Sequence, residues 1–295
     1  MEKRKRVFIA VMGVAVVVAV FGVCLPPAEP RYHGRSLSSW LEDPDNFISD
    51  GFDPSAAGVL AVRELGTNAI PTLLQWISYE PSPIRQKVNK LLQKLPGPLK
   101  PRNAQIGWSR ANNAAAGFAM LGSEAQVAAP ALVRLALTSS DPNRAQRCID
   151  CLFKMGPEGL LGMCSLITNS QALKQTSAIY RICDMGTNAV PAVPALIKCL
   201  EDNDDEVAHA ATVVLGELAL LPTTTVPALQ KALQTANTHR RAWLVSAFYR
   251  FGGAAKPAVP QLVAALVDSS SDVRFRATNI LLHIAPEALT NVAAP

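Results

Sequence analysis

Two stretches of this chain repeat one pattern: PALIKCLEDNDDEVAHAATVVLGELA, from Pro194 to Ala219, and PQLVAALVDSSSDVRFRATNILLHIA, from Pro260 to Ala285. Each begins with proline and an apolar run, passes through an acidic or serine-rich turn, and ends a second apolar run at a small residue. Proline is tolerated in the first turn of a helix, and Asp or Ser in a turn can cap the helix that follows. Each stretch therefore predicts two helices, A and B, joined by a short turn.

The same unit recurs along the chain. The small residues that end the units follow one another at steps of 34, 30, 33, 33 and 33 residues: Gly122, Gly156, Gly186, Ala219, Gly252 and Ala285. In four units a proline stands eight residues beyond the small residue: Pro130, Pro194, Pro227 and Pro260. A shared period with a proline at a shared offset is typical of a repeat protein.

Helix B of each unit carries one apolar face. We count its positions from the residue twelve before the small end residue, and positions 0, 4, 7, 8 and 11 are mostly apolar. In the last unit these are Val273, Ala277, Ile280, Leu281 and Ile284. At about 100° per residue they share one side of the helix. Stacked units can bury this face, so the sequence predicts an all-α fold, a right-handed α-α superhelix with a continuous core.

The units resemble HEAT repeats of the bacterial, lyase-like type, an armadillo-type superhelix, in their Pro-Ala-Leu start, acidic turn and following Val-Arg. The resemblance extends over about residues 54–285. It implies a ladder between neighbouring repeats, formed by a turn Asp and the following Arg, for which Asp272 and Arg274 match best. Residues 31–44, RYHGRSLSSWLEDP, also resemble the start of membrane-anchored HEAT-repeat proteins of the Verrucomicrobia group.

The chain is expected to have four parts. They are a cytoplasmic basic tip with a transmembrane signal anchor (1–25), a linker with an N-terminal cap helix (26–53), divergent N-terminal HEAT repeats (54–122), and regular HEAT repeats with a C-terminal cap (123–295). Leu37, Trp40 and Leu41 fall on one side of the cap helix and would cover the first repeat, since a solenoid needs caps at its ends. The proline-rich segment 97–109 predicts an irregular connector.

The N-terminal segment predicts a membrane anchor. Residues 1–6 hold four basic side chains and one acidic side chain, and Val7–Leu25 is a run of nineteen residues without a charge. A helix of that length nearly crosses a bilayer core, and basic residues favour the cytoplasmic side. The prediction is a single-pass membrane protein with a cytoplasmic N-terminus and an extracytoplasmic repeat domain, periplasmic in a Gram-negative bacterium. A cleaved signal peptide and lipidation at Cys24 stay open as alternatives.

The charge balance argues against a nucleic-acid partner. The formal charge is +5, but residues 1–6 contribute +3, which leaves 24 basic and 22 acidic side chains and a net charge of +2. A domain that binds phosphate backbones has a concentrated basic face. The expected partners are a protein or peptide and, through residues 7–25, a membrane, with the chain itself a monomer.

The sequence offers little catalytic chemistry. Cys148 and Cys151 form a C-x-x-C, but they occupy the core-facing positions 4 and 7 of a helix B, where cysteine packs as a small apolar side chain. The four histidines are scattered and lack ligand or nucleophile partners at useful spacings. We expect no enzyme activity, no catalytic residue, no metal site and no cofactor. The alternative is an accessory lyase or another enzyme on a HEAT scaffold, which would need a reactive thiol such as Cys183.

The face of helix B opposite the core, positions 2, 5, 6 and 9, is the expected binding surface. In successive units it carries large apolar or aromatic residues, and the expected partner-binding residues are Phe153, Ile179, Tyr180, Val245, Tyr249, Phe275 and Leu282. Exposed apolar stripes are typical of interaction sites, although neighbouring B helices can also cover such side chains. The sequence thus predicts a non-catalytic, membrane-tethered scaffold that binds a partner in the concave groove of the solenoid.

Overall fold

The computed structural model describes residues 29–48, 51–79, 106–169 and 172–292, in which helices stack in consecutive pairs. The A helices are α3 (Ile70–Ile77), α5 (Ala129–Thr138), α7 (Pro157–Asn169), α9 (Val193–Cys199), α11 (Pro222–Thr235) and α13 (Val259–Ala264). The B helices are α2 (Ala57–Leu65), α4 (Ile106–Leu121), α6 (Pro142–Lys154), α8 (Ala172–Cys183), α10 (Asp205–Leu218), α12 (Thr238–Ala247) and α14 (Ser271–Ile284). Two shorter helices lie towards the ends, α1 (Leu37–Leu41) and α15 (Glu287–Val292).

Two short antiparallel hairpins lie near the N-terminal end. Strand β1 (Arg31–Tyr32) pairs with β2 (Arg35–Ser36), and β3 (Phe47–Ile48) pairs with β4 (Gly51–Phe52). The all-α prediction did not include them, because strands of two residues are too short to show a period in the sequence. The described fold is therefore a helical repeat array with two small hairpins at one end.

Helix α1 packs against α2 and covers the first repeat. Leu37, Trp40 and Leu41 are all buried, at 8% exposure or less. The indole N–H of Trp40 donates to the carbonyl oxygen of Tyr32 at 3.1 Å, which joins the helix to the first hairpin. A buried indole of this kind needs such an acceptor, because an unpaired buried N–H is costly.

Polar side chains begin the B helices in a shared register. Asp141, Asp204 and Asn237 are the N-cap residues of α6, α10 and α12, and each side chain accepts a backbone N–H from the first turn. Ser270 holds the corresponding place before α14, where its side chain makes no capping bond. The turn residues therefore cap the helices as the sequence predicts, with one exception.

Glycines with positive φ end most of the repeats. Gly122, Gly156, Gly186 and Gly252 have φ between 50° and 65°, a backbone region that residues with a Cβ rarely adopt. Ala219 replaces glycine in one repeat and takes the left-handed conformation, with φ 46° and ψ 33°. The predicted role of the small end residue is confirmed at these five positions.

The recurrent proline marks the start of three A helices. Helices α5, α9 and α13 each begin one residue before it, after a stretch of 3₁₀ helix: Gly122–Ala128, Gly186–Ala192 and Tyr249–Ala258. Helix α11 differs, because it begins at Pro222 and carries Pro227 in its interior. Leu221, with a φ of 47°, turns the chain immediately before this longer helix.

The apolar positions of the B helices form a continuous core. Val273, Ala277, Ile280, Leu281 and Ile284 of α14 are each at most 5% exposed. Consecutive B helices pack directly on one another, α6 on α8, α8 on α10, α10 on α12 and α12 on α14. Each repeat thus buries its apolar face against its neighbours.

The first repeats are arranged less regularly. Helix α4 packs against both α2 and α3, so 56 residues separate the end glycines Gly66 and Gly122. The stretch 80–105 lies outside the described residues, and with it most of the connector predicted over 97–109. The predicted division of the chain into four parts stays a prediction.

The polar contacts between repeats differ from the predicted ladder. Arg274 donates to the carbonyl oxygens of Asp268 and Ser269 in the turn before its own helix, at 2.7 and 3.1 Å. Asp272 pairs instead with Arg276, one turn along the same helix. A contact between repeats is made by Arg241, whose guanidinium binds both carboxylate oxygens of Asp268 at 2.7 and 3.0 Å. Arg274 cannot reach a carboxylate of another repeat while its side chain folds back onto its own turn.

The predicted N-terminal transmembrane helix and the single-pass membrane location are corrected. Within the part of the chain that the structure describes, no helix is long and apolar enough to cross a membrane. The segment 7–25 and Cys24, on which the prediction rested, lie outside that part. The fold class is therefore a helical repeat array, and neither a membrane span nor an extracytoplasmic location is assigned.

Candidate functional site

Four of the seven residues predicted to bind a partner are exposed. The exposed fractions are 47% for Tyr180, 51% for Tyr249, 67% for Phe275 and 57% for Leu282. Val213 of α10, at 36%, is exposed in the corresponding part of its helix. All five belong to, or directly follow, consecutive B helices.

Ile179 and Val245 do not line an accessible surface, and their predicted exposure is corrected. Both are fully buried, and both occupy position 5 of their B helices. Ile149 and Thr212, at the same position of α6 and α10, are also buried. Position 5 is covered because successive B helices pack directly on one another. The binding surface is therefore narrower than the sequence suggested.

Phe153 is partly covered by charged side chains. The guanidinium of Arg181 lies 5.5 Å from the centre of the Phe153 ring, and the ammonium of Lys154 lies 5.7 Å from it. Arg181 is itself held by Asp150 at 2.9 Å and Asp184 at 3.2 Å. Cation–π contacts of this geometry are attractive, so the ring is engaged within the chain.

Two adjoining cavities join the exposed residues of the last three B helices. The first, about 200 Å³, lies between α10 and α12 and includes Val213, Ser246 and Tyr249. The second, about 310 Å³, lies between α12 and α14 and includes Ser246, Tyr249 and Phe275. Leu282 stands two helical turns after Phe275 on the same side of α14. We call Val213, Tyr249, Phe275 and Leu282 the apolar strip.

A glycine lies in the wall of the first cavity. A Cβ on Gly216 would come within 2.9 Å of the Cα of Ala247, so α10 and α12 approach too closely for a side chain there. Gly216 occupies position 9, where the neighbouring repeats carry Cys183 and Tyr249. The cavity therefore forms where this repeat lacks a side chain that its neighbours have.

The charged side chains around the strip are paired with one another. Arg250 binds Glu217 at 2.6 Å beside the first cavity, and Arg276 binds Asp272 at 2.9 Å beside the second. Arg276 also donates to the hydroxyl of Ser246 at 2.7 Å. The rim of the strip thus carries as many positive as negative charges in these two pairs.

Histidine and aromatic rings pack beside the strip, a feature the sequence analysis missed. The imidazole of His283 stacks on the ring of Tyr249 with centres 4.4 Å apart. Trp243 contacts His209 at 4.3 Å and His239 at 4.6 Å. The contacts of His283 with Tyr249 and of His209 with Trp243 join different repeats, so sequence spacing alone carried no signal that these rings meet.

The five cysteines in the described residues are free thiols, and burial raises the pKa of each of them. The pKa of Cys148 is raised to about 12, and that of Cys151 well above its ordinary value. For Cys183 the nearby carboxylates of Asp184 and Glu217 add to the effect of burial. Both C-x-x-C thiols are buried, which confirms their predicted place in the core.

Metal chemistry finds no cluster of ligands in the described ranges. No group of three or more His, Cys, Asp or Glu side chains there is arranged to hold a metal ion. Cys148 and Cys151 are accompanied by Arg147 and Asp150 in sequence, and by no histidine nearby in the same helix.

Comparison with known proteins supports the repeat assignment in the C-terminal part. Residues 193–282, from the start of α9 to the last turn of α14, match the family model of HEAT repeats. No curated protein matches the chain. These comparisons give no support to the resemblance of residues 31–44 to membrane-anchored proteins of the Verrucomicrobia group.

Two crystal structures of engineered proteins are similar to this chain. One is 21% identical, with a TM-score of 0.40, and the match covers 87% of this chain and 75% of that chain. The other is 20% identical, with a TM-score of 0.32, and the match covers 79% of this chain and 94% of that chain.

Proposed function

We propose that this chain is a non-catalytic interaction scaffold that binds a protein or peptide partner on the apolar strip. The observation that carries the proposal is the exposure of Val213, Tyr249, Phe275 and Leu282 across three consecutive repeats. Contiguous exposed apolar surface on a soluble protein typically marks an interaction site. Tyrosine is also among the residues that contribute most to binding energy at interfaces.

The charges beside the strip favour a partner segment that is apolar and uncharged. Glu217 already binds Arg250, and Asp272 already binds Arg276. A charged partner group would have to break one of these pairs, whereas an apolar side chain can enter either cavity without doing so. An apolar centre with a polar rim is the usual arrangement of a protein interface.

The pKa of the thiols supports a non-catalytic role. An accessory lyase would need a nucleophilic cysteine, and the nucleophile is the thiolate. Burial and the carboxylates of Asp184 and Glu217 raise the pKa of Cys183, so its thiol is protonated at neutral pH. This counts against the enzyme alternative.

The test is a selection of peptides on the purified chain. A displayed library of random peptides, each about 20 residues long and so able to cross several repeats, is enriched on the wild type. The affinity of selected peptides is then measured by calorimetry. The double variant Tyr249→Asp/Phe275→Asp is expected to weaken binding at least about tenfold, because it places two charges in the strip.

The matched control is Val127→Asp/Leu161→Asp, which charges two exposed apolar residues outside the strip, at 63% and 72% exposure. Its affinity should stay within about twofold of the wild type, and both double variants should keep the wild-type melting temperature. Equal loss in the two variants, or no enrichment on the wild type, would contradict the proposal. Tyr180→Asp then tests whether the partner extends to α8.

A further inference from the structure

A third cavity lies away from the strip, at the turn between α5 and α6. Its volume is about 610 Å³, within the range typical of small-molecule sites. The first turns of α8 close one side of it with Lys174 and Ser177. Polar groups from the turn and from α6 complete the lining: Thr138, Ser139, Ser140, Asn143 and Gln146.

The cavity contains a buried positive charge. Lys174 is 8% exposed, and its ammonium donates to the carbonyl oxygens of Leu137 and Ser139 at 3.0 and 2.9 Å. Two neutral carbonyls satisfy hydrogen bonds but do not balance a charge, and a buried charge is costly unless it is paired. No carboxylate is present among the described residues that line the cavity.

The same position in another repeat shows what is different at Lys174. Arg240, like Lys174, stands twelve residues before the glycine that ends its repeat. Its guanidinium donates to the carbonyl oxygen of Asp202 at 2.8 Å, and Asp202 occupies the place in its turn that Ser139 occupies in the earlier one. The two basic residues therefore make the same backbone contact with the preceding repeat.

Arg240 has a carboxylate partner that Lys174 lacks. Asp205 binds Arg240 at 2.6 Å, and it stands fourteen residues before the end of its repeat. The residue fourteen before the end of the earlier repeat is Pro142, which lines the cavity. Where one repeat supplies its own carboxylate, the other has a proline and an open volume.

We propose that this cavity binds a carboxylate from outside the chain, which pairs with the ammonium of Lys174 as Asp205 pairs with Arg240. The hydroxyl of Ser177 and the amides of Asn143 and Gln146 can donate further hydrogen bonds to its oxygens. The ligand class is a small organic acid or an acidic side chain of another protein, since both present the same group. The site is separate from the apolar strip and does not depend on the proposed function.

The experiment is a calorimetric titration of the full chain at constant ionic strength, with succinate in one arm and a tetraglutamate peptide in the other. Succinamide, which has the same shape without the charge, is the control ligand and should not bind. Saturable binding of succinate supports a small-molecule site, and binding of the peptide alone supports a carboxylate from a protein. Absence of binding in both arms would overturn the proposal.

Two variants assign the binding to Lys174. Pro142→Asp supplies the missing carboxylate without removing the contacts of Lys174, and it should weaken binding at least about tenfold by occupying the site. Lys174→Met should do the same by removing the charge. Lys198→Met, at a lysine of α9 outside the cavity, is the matched control and should bind as the wild type does. Unchanged affinity in Pro142→Asp would overturn the proposal even if Lys174→Met fails to fold.

Discussion

The middle repeats, α6 to α8, and the C-terminal repeats, α10 to α14, use the same helix pairs but connect them through different polar contacts. At the start of α12, Arg240 and Arg241 bind carboxylates, those of Asp205 and Asp268. The corresponding residues of α8 are Lys174 and Gln175, which donate mainly to backbone carbonyls. The apolar core is common to both regions, so the core defines the fold while the polar links between repeats are free to vary.

The two regions also differ in how a helix B passes into the next helix A. In the C-terminal repeats a 3₁₀ segment, Tyr249–Ala258, separates α12 from α13. In the middle repeat α7 begins directly after Gly156, which gives the short step of 30 residues. The tight connection brings Gly159 of α7 against the backbone of Leu152. The middle region is therefore the more sensitive to any added side-chain volume.

The largest effect is expected at this tight connection. In Gly159→Ala the added Cβ would fall well inside contact distance of the carbonyl oxygen of Leu152, and a backbone atom cannot move aside as a side chain can. The free energy of unfolding should fall by about 3 kcal/mol or more, because overpacking of this kind forces the helices apart. Urea unfolding followed by circular dichroism measures the change.

The matched control for that variant is Gly253→Ala in the C-terminal region. A Cβ there meets nothing within 4 Å and the backbone does not have a positive φ, so the change should stay within about 0.5 kcal/mol. Equal stability of the two variants would show that the connection at Gly159 is not tighter than the other.

A smaller effect is expected from the carboxylate contact in the C-terminal region. Arg241 binds both oxygens of Asp268, and this hydrogen bonding lowers the pKa of the carboxyl below its ordinary value. Asp268→Asn should reduce the free energy of unfolding by about 1.5 kcal/mol at pH 7. Asp184→Asn, at a half-exposed partner of Arg181, is the control and should change it by less than about 0.5 kcal/mol.

The pH dependence of that contact has a definite sign. Because the folded pKa of Asp268 is lowered, its contribution is complete above the unfolded-state pKa of about 3.9 and is lost as the pH falls through the lower folded pKa. The difference between wild type and Asp268→Asn should be constant from about pH 7 to pH 5 and should narrow below about pH 4. A difference that grows with acid would contradict the assignment.

The smallest effect is a gain in stability at the repeat that ends without glycine. Ala219 has φ 46° and ψ 33°, a conformation that costs an L-residue about 1 kcal/mol. Ala219→Gly should therefore raise the free energy of unfolding by up to about 1 kcal/mol. Ala285→Gly is the control at the same position of the last repeat, where φ is −159° and glycine relieves no strain. A loss of similar size in both variants would refute the strain at Ala219.

The sequence predicted the features that depend on one repeat at a time. The caps at Asp141 and Asp204, the glycine ends and the buried face of α14 all follow from local spacing and residue type. It was wrong where a neighbouring repeat decides the outcome. Ile179 and Val245 are buried because the adjacent B helix covers position 5, and the distance between helices cannot be read from the period of one of them.

The same reason explains the parts of the candidate site that the sequence missed. Trp243 meets histidines from two elements of the chain, and the cavity at Gly216 exists because α10 and α12 approach closely. Lys174 was not singled out, although its lack of a carboxylate partner could have been found by aligning the repeats and comparing Pro142 with Asp205. Alignment of repeats against one another therefore adds information that the helical period does not contain.

Gly216 also has a mechanical consequence. A stack of helical layers behaves as an elastic rod, whose local bending follows from which edges of adjacent layers come closest. At position 9 the chain places Phe153, Gly216 and Leu282 in different layers, and these residues differ greatly in size. The layer at Gly216 lets its B helices approach closely on that edge, and so it contributes its own bend. Changes at this single position would alter the radius of the superhelix while the core stays the same.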